Sequence, residues 1–189
     1  SEVFGVPIDE VSKEQRRVAK IINFSVLYGV GAHNLSGTIG VGFYEAKKYI
    51  EEYFNAHKPI RELMDNTLKK AQDEGFVETF FGRRRPMPDI KSSNFMIREM
   101  AKRAAQNMPI QGTEADLMKR AMLAVDEKIV KAGLGEQILQ IHDSILVEVP
   151  AENAENVAEI LKQEMESVAP ELNVKLKVEV SIGKDWLNM

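Results

Sequence analysis

The sequence contains no cysteine and no long apolar run. Without cysteine there are no disulfides and no thiolate metal sites, which is typical of a protein from a reducing compartment. No stretch approaches the roughly 20 apolar residues that cross a bilayer, and the amino-terminal residues do not form a charged and then apolar leader. We therefore expect a soluble, cytoplasmic protein, and 189 residues suffice for one or two domains.

The last part of the chain has few basic residues. The net charge is −4, but residues 1–120 hold 19 Lys and Arg against 16 Asp and Glu, whereas residues 121–189 hold 6 against 13. The first part therefore carries +3 and the second −7. Such asymmetry is expected when one surface follows phosphates and another faces solvent, and the alternative is an accidental distribution.

A basic and aromatic stripe occupies residues 16–29, RRVAKIINFSVLYG. On a helix, the spacing of four places Arg16, Lys20, Phe24 and Tyr28 on one face, within an arc of about 120°. The opposite side holds Val18, Ile21, Ile22 and Val26, as in a helix that docks on a core. Cations bind a triphosphate and rings stack on a base, so the stripe indicates nucleotide binding; the alternative is a solvated face.

A second motif lies in residues 137–149, QILQIHDSILVEV. The β-branched and alternating residues predict two strands around a polar tip at His142, Asp143 and Ser144. A carboxylate at such a tip is exposed and rigidly held, as a Mg²⁺ ligand must be, so Asp143 is a candidate metal ligand. The alternative is ordinary turn chemistry.

The remaining periodicity predicts an α+β chain. Helices are expected at about 32–39, 43–57, 59–74, 93–131 and 151–168, strands at 76–80 and 176–182, and a basic turn at 82–85. Pro109 and Gly112 are expected to interrupt the long helix, since proline removes a backbone hydrogen bond and collides with the preceding turn.

Motifs along the whole chain resemble family A DNA polymerases, the bacterial DNA polymerase I type. In order they are FGVP, RRVAKIINFSVLYG, ETFFGRRRPMPD, REMAKRAAQNMPIQGTEADLMK, QIHD and VSIGKDWL. The resemblance implies a helical fingers subdomain over residues 1–90, followed over residues 91–189 by the C-terminal part of an antiparallel-sheet palm with packed helices. It also implies template-directed transfer of nucleotidyl groups from deoxynucleoside triphosphates to a primer 3′ hydroxyl, with pyrophosphate as the leaving group.

The resemblance assigns roles to individual side chains. Arg16 and Lys20 would bind the β and γ phosphates of the incoming nucleotide. Phe24 would lie beside the sugar and base, and Tyr28 near the templating pair. An aromatic residue at the Phe24 position governs how well a sugar without a 3′ hydroxyl is accepted, and phenylalanine predicts rejection.

A further set of residues is expected to contact primer-template DNA: Arg83, Arg84, Arg85, Arg103, Asn107, Gln111 and His142. The resemblance places Arg103, Asn107 and Gln111 in the minor groove, where donors meet acceptors common to every Watson–Crick pair. The alternative for these three is a polar helix end. The three consecutive arginines would contact backbone phosphate, and the alternative is a solvated turn.

Nucleotidyl transfer of this kind uses two Mg²⁺ ions, which need more than one carboxylate. Asp143 is the one metal ligand predicted here, because the partner aspartate of the family lies in an upstream motif that this sequence lacks. The chain begins with Ser1 and contains no thumb or exonuclease segment. We therefore expect a segment of a longer polymerase that docks with its upstream thumb and palm, in the cytoplasm and on the nucleoid if the source is bacterial.

Ser144 departs from the family pattern, which usually has Glu after the His-Asp pair. His-Asp-Ser resembles the single-subunit RNA polymerases instead, but the FGVP, NFSVLYG and QNMPIQGT segments follow the DNA enzymes. Two alternatives therefore accompany the main prediction. One is a non-catalytic primer-template or nucleotide-binding module, and the other is a relative of the RNA polymerases.

Overall fold

The structure is a computed structural model that describes residues 4–188. Within these residues it contains six α-helices and two small antiparallel sheets of two strands each, so the predicted α+β class is confirmed. The chain divides into two compact units, one up to Ile110 and the other from Gln111 onward. The predicted limits of the fingers and palm, at residue 90, stay a prediction. None of the helices within residues 4–188 has the length and apolar content to span a bilayer.

Four helices begin the first unit. They are α1 (Lys13–Leu27), α2 (Ala32–Ile39), α3 (Phe43–Ala56) and α4 (Lys58–Glu74). Ile22 and Val26 of α1 are buried in a cluster with Leu35 of α2 and Ala46 of α3. Because these two residues lie on the side of α1 opposite the basic and aromatic stripe, burial of the apolar face directs the stripe outward.

A short hairpin follows α4. Its strands β1 (Phe76–Glu78) and β2 (Arg84–Pro86) pair antiparallel, with Glu78 opposite Arg84. The prediction of a basic turn over residues 82–85 is therefore wrong for the last two arginines, which belong to β2. The strand predicted over residues 76–80 is also shorter in the structure, because β1 ends at Glu78 and a turn follows.

The long helix α5 (Phe95–Val125) follows, with Pro109 inside it. The expected interruption near Pro109 and Gly112 is wrong. A proline inside a helix costs about 3 kcal/mol. The turns of α5 before Pro109 are packed, because Ala101, Ala105 and Met108 join the core formed by α4 and the hairpin. Packing of the preceding turns outweighs the local penalty.

The second unit contains the rest of α5 and a five-residue π-helical turn at Asp126–Val130. A hairpin of β3 (Glu136–Ile141) and β4 (Ser144–Glu148) follows, and then α6 (Ala154–Glu166). Val125, Ile129 and Val157 form the buried core of this unit, with apolar residues of the hairpin packed against them. The predicted hairpin at 137–149 is thus present, and α6 is shorter than expected at both ends.

The predicted strand at residues 176–182 is wrong. The structure assigns no strand there, and the backbone N–H of Val178 donates to the Glu166 carboxylate of α6 at 3.0 Å. A strand requires a neighbour for its backbone hydrogen bonds. Within residues 4–188, β3 and β4 pair with each other and not with this segment.

Candidate nucleotide and DNA interface

The start of α1 is fixed by a capping box. The Gln15 backbone N–H donates to Ser12 Oγ at 3.1 Å, and the Ser12 N–H donates to Gln15 Oε1 at 2.9 Å. These bonds satisfy two backbone groups that a helix end otherwise leaves without partners. Arg16 follows directly, so its backbone lies in a well-defined first turn.

The stripe predicted on α1 lies on its exposed side. Arg16 and Lys20 are exposed, and the rings of Phe24 and Tyr28 are 55% and 46% exposed. Consecutive members are about 6 Å apart along the helix axis, so the two cations lie within reach of neighbouring phosphates of one triphosphate. Tyr28 forms the C-terminal cap of α1, with its N–H bonded to the Phe24 carbonyl at 3.0 Å.

Arg17 is also cationic but is engaged locally. Its guanidinium donates to the Glu14 carboxylate at 2.5 and 2.9 Å, and this bond lowers the pKa of Glu14. Both side chains are exposed. Arg17 lies about 100° from Arg16 around the helix, within the arc of the stripe on the side of Phe24 and Tyr28, but its guanidinium is paired with Glu14.

The end of α1 lies against α5. Gly29 adopts a left-handed φ of +71°, and a Cβ on it would lie 3.2 Å from Gln106 Oε1 and 3.3 Å from Arg103 Cγ. The turn after Tyr28 therefore contacts the stem of Arg103, a predicted duplex contact. Gly29 is the last residue of the segment RRVAKIINFSVLYG, and neither it nor Gln106 was predicted to have a role.

Two of the predicted minor-groove residues lie on α5 within the first unit. Arg103 and Asn107 are four residues apart, so they are about 40° apart around the helix. Arg103 and Gln111 are exposed and Asn107 is half-buried. Arg103 and Asn107 belong to the first compact unit and Gln111 to the second.

The three consecutive arginines differ from one another. Arg84 stacks over the Phe76 ring at 4.3 Å and approaches the Glu78 carboxylate at 3.5 Å. Glu78 is also bonded by Lys70 of α4, and this bond, with help from Arg84, lowers the Glu78 pKa. Arg84 thus packs across the hairpin against Phe76 and Glu78, and Arg83 and Arg85 are exposed.

The β3–β4 loop consists of His142 and Asp143 alone, since Ile141 pairs with Ser144. His142 has a φ of 51° and is the only non-glycine residue with a positive φ in the described chain. A left-handed conformation costs a residue with a Cβ about 1–2 kcal/mol. Gln140 Nε2 donates to the His142 carbonyl at 2.6 Å, and Ser144 Oγ donates to the Ile141 carbonyl at 2.8 Å. These bonds hold the strained loop.

Asp143 is exposed at this rigid tip, which suits a metal ligand. Among residues 4–188, however, no three His, Asp or Glu side chains come together in a group that could hold a metal ion. The Ser144 hydroxyl, the other oxygen at the tip, donates to the backbone. The described residues therefore offer a single carboxylate ligand at this position.

Comparison with a solved structure gives the class of protein. The fold resembles the polymerase domain of Pol1 from M. smegmatis in complex with DNA primer-template and dNTP, with a TM-score of 0.90 and 38% identity. The match covers 97% of this chain and 32% of that one. The architecture is thus that of part of a polymerase domain.

The family follows from the sequence comparisons. The model for DNA polymerase family A matches residues 1–188, and the chain therefore belongs to this family. It is 46% identical to the thermostable DNA polymerase I of Thermus aquaticus and 46% identical to DNA polymerase I of Pseudomonas aeruginosa, over 188 and 187 residues. Those matches cover 100% and 98% of this chain but only 22% and 20% of the relatives, so the chain spans about a fifth of their length.

Proposed function

We propose that this chain forms part of the active centre of a template-directed DNA polymerase, which transfers deoxynucleotides to a primer 3′ hydroxyl. The observation that carries the proposal is the exposed stripe on α1, in a member of DNA polymerase family A. The similarity to a polymerase domain that binds primer-template and dNTP supports it. The stripe combines cations for phosphates with rings for a base, which is the chemistry of a nucleoside triphosphate.

In this proposal α1 binds the incoming nucleotide. Arg16 and Lys20 bind its β and γ phosphates, Phe24 packs beside its sugar and base, and Tyr28 lies near the templating pair. The local geometry supports this assignment, because the apolar face of α1 is buried and all four side chains are exposed. A charged group that donates to phosphate contributes about 1.5–3 kcal/mol, so two such contacts give substantial selectivity for a triphosphate.

The duplex is bound by α5, the first hairpin and His142. Arg103, Asn107 and Gln111 test the minor groove, where acceptors occur in every correct pair regardless of sequence. Arg83, Arg84 and Arg85 contact backbone phosphate, as all three are exposed. The contact of Gly29 with Arg103 links the nucleotide helix to the minor-groove helix.

Asp143 holds magnesium in this proposal. Mg²⁺ prefers carboxylate oxygens and keeps several waters, so an exposed aspartate on a rigid loop fits one position of its coordination sphere. When bound, the ions lower the pKa of the primer 3′ hydroxyl and neutralise the pyrophosphate. Two ions need a second carboxylate, which we assign to the upstream palm of the same polymerase.

Those upstream thumb and palm segments are the proposed protein partners, and the cytoplasm is the proposed location. Ile138 and Leu139 on β3 support a partner at the second hairpin, because both are substantially exposed. Exposed apolar side chains on a two-stranded sheet favour association with further structure.

Two other functions have specific support. A non-catalytic primer-template or nucleotide-binding module is favoured because, within residues 4–188, Asp143 is the one carboxylate in the loop of the second hairpin and belongs to no metal-binding group. A relationship to RNA polymerases is favoured by Ser144. Magnesium-dependent primer extension separates the first alternative from our proposal, and the preference between deoxy- and ribonucleoside triphosphates separates the second.

The test is single-turnover primer extension with Mg²⁺ by a complete polymerase that carries this segment. We expect Asp143→Ala to abolish extension and to leave primer-template affinity nearly unchanged, because the carboxylate serves the metal and not the duplex. Glu136→Ala, an exposed carboxylate on the same hairpin, is the control and should retain activity. If Asp143→Ala stays within tenfold of the parent, Asp143 is not a metal ligand.

The 189-residue chain alone should not extend a radiolabelled primer with Mg²⁺ and all four triphosphates. A single carboxylate cannot offset the repulsion between two dications held close together. Metal-dependent extension by the chain alone that disappears in Asp143→Ala would reveal a second carboxylate within it.

A further inference from the structure

Sulfur occurs in this chain only in methionine, since the sequence has nine methionines and no cysteine. Most methionines of residues 4–188 are buried or half-buried, including Met108 and Met118. Met96 and Met100 differ, because they are 71% and 62% exposed on the first two turns of α5. An oxidant must reach the sulfur, so these two thioethers are the accessible oxidation sites of the described chain.

Met100 lies on α5 one turn before Arg103, a predicted minor-groove residue. The two residues are three apart, so they are about 60° apart around the helix and their Cβ atoms are about 5–6 Å apart. Helical side chains lean toward the start of the helix, which directs the Arg103 side chain over the turn that contains Met100. Met96 is farther from Arg103, about 10 Å along the helix axis. Met100 is therefore the exposed thioether beside the guanidinium.

Arg103 is exposed, and its guanidinium carries several N–H donors. A thioether sulfur is a weak acceptor, so the unmodified Met100 side chain competes little for these donors. Glu99, the carboxylate one turn before Arg103, is bonded to Lys102 at 2.7 Å. A strong acceptor created at Met100 would therefore meet little competition from this carboxylate, and would compete instead with the DNA acceptors that Arg103 is proposed to bind.

We infer that Met100 is a reversible oxidation site that controls the availability of Arg103 for DNA. With hydrogen peroxide as oxidant, the sulfur lone pair attacks one oxygen, so that an S–O bond forms as the O–O bond breaks. The sulfur is oxidised by two electrons, and the leaving oxygen keeps the electrons of the O–O bond, takes the proton of the transferred oxygen and departs as water. The sulfoxide oxygen then accepts from the guanidinium and withdraws it from the acceptors of the minor groove. This inference rests on the proposed function, which supplies the duplex.

The test compares DNA binding by the 189-residue chain before and after mild treatment with hydrogen peroxide. Fluorescence anisotropy gives the dissociation constant for a labelled primer-template, and peptide mass mapping identifies the methionines that have gained an oxygen. We expect Met96 and Met100 to be oxidised well before the buried Met108 and Met118. The dissociation constant should rise about 10-fold or more, since that is the lower end of the loss for a hydrogen bond from a charged donor.

Two leucine variants form a matched pair, because leucine keeps the apolar volume of methionine and has no sulfur to oxidise. Met96→Leu leaves Met100 in place and should stay sensitive to peroxide. Met100→Leu should become insensitive, although Met96 is still oxidised. Each variant is compared with itself before treatment, so a change in its starting affinity does not affect the result, and circular dichroism checks that it is folded.

Two further measurements separate control of Arg103 from general damage. Arg103→Ala, measured at low salt so that weaker binding remains measurable, should show no further loss of affinity after peroxide treatment. Methionine sulfoxide reductases, one for each sulfoxide epimer, should restore DNA binding by the oxidised parent chain. Unfolding of the chain by oxidation would be visible by circular dichroism and would weaken Arg103→Ala as well.

The outcomes distinguish this inference from the proposed function. If the parent chain binds DNA and oxidation of Met100 leaves the affinity unchanged, the inference is wrong and the proposed function stands. The same holds if Met100→Leu is as sensitive to peroxide as the parent, or if Arg103→Ala loses as much affinity as the parent does. If the parent chain binds no DNA before treatment, the DNA-binding part of the proposed function fails, and the inference fails with it.

Discussion

Replacing Lys20 by alanine removes one of the two cations of the basic and aromatic stripe on α1. We expect Lys20→Ala, in a complete polymerase that carries this segment, to weaken use of the incoming nucleotide far more than binding of the primer-template. The reason is geometric, because Lys20 lies between Arg16 and Phe24 on the exposed face, one turn from each. Arg16→Ala should act in the same direction.

The magnitude follows from the contact that is lost. A hydrogen bond from a charged donor to phosphate contributes about 1.5–3 kcal/mol, which is roughly 10- to 150-fold in nucleotide affinity. Lys20 is exposed, so part of its interaction is screened by salt, and we expect the lower half of this range at physiological ionic strength. Lys20→Arg keeps the charge and should lose much less.

The assay is the nucleotide dependence of single-turnover incorporation, together with primer-template affinity measured separately. Arg17→Ala is the matched control, because Arg17 is another exposed cation of the same helix and its guanidinium is bonded to Glu14. An exposed ion pair contributes little to stability, and nucleotide use should not change. The reasoning is refuted if Lys20→Ala alters DNA affinity alone, since the stripe would then be a duplex contact.

Three further substitutions test other parts of the structure. Phe24→Tyr should raise incorporation of dideoxynucleotides relative to deoxynucleotides by orders of magnitude, because the added hydroxyl replaces the missing 3′ group; an unchanged competition ratio would contradict this. Gly29→Ala should cost about 1–2 kcal/mol of stability for its left-handed φ, and the new Cβ should push against Arg103, so thermal unfolding and primer-template affinity should both fall. If affinity is unchanged, the contact of Gly29 with Arg103 does not position that side chain. Ser12→Ala should lower the free energy of unfolding by about 1 kcal/mol through loss of the capping box, measured by chemical denaturation, and a loss near zero would show that the cap is dispensable.

Sequence patterns predicted the features that depend on residues within one helix or one hairpin. The spacing of Ile22 and Val26 predicted which face of α1 is buried, because an amphipathic helix has one way to bury its apolar side. The β3–β4 hairpin was also predictable, since β-branched residues flank a short polar loop. The motif order along the whole chain predicted the family, and the family model confirms it.

The wrong predictions concern features decided by tertiary contacts. Pro109 has a local cost that the sequence shows, but the packing of Ala105 and Met108 that offsets it is visible only in the folded chain. A strand at residues 176–182 requires a neighbouring strand for its backbone hydrogen bonds, and the alternation of apolar residues does not show whether one is present. The engagement of Arg84 depends on the register that places it opposite Glu78.

The roles assigned to the site residues stay predictions, including those of Asp143 and Arg103. Their positions on loops and exposed faces follow from the fold. Their chemistry depends on a nucleotide, a duplex and a second carboxylate, and side-chain spacing within one chain does not determine how those groups meet.

The left-handed His142 has a consequence for protein engineering. Glycine adopts a φ of 51° without a steric penalty, so His142→Gly would be favoured by any selection for a more heat-resistant hairpin. The same change would discard the imidazole beside the proposed metal ligand. A library of variants screened for thermal tolerance alone is therefore expected to drift away from activity at this position, and histidine would be retained only when synthesis is part of the screen.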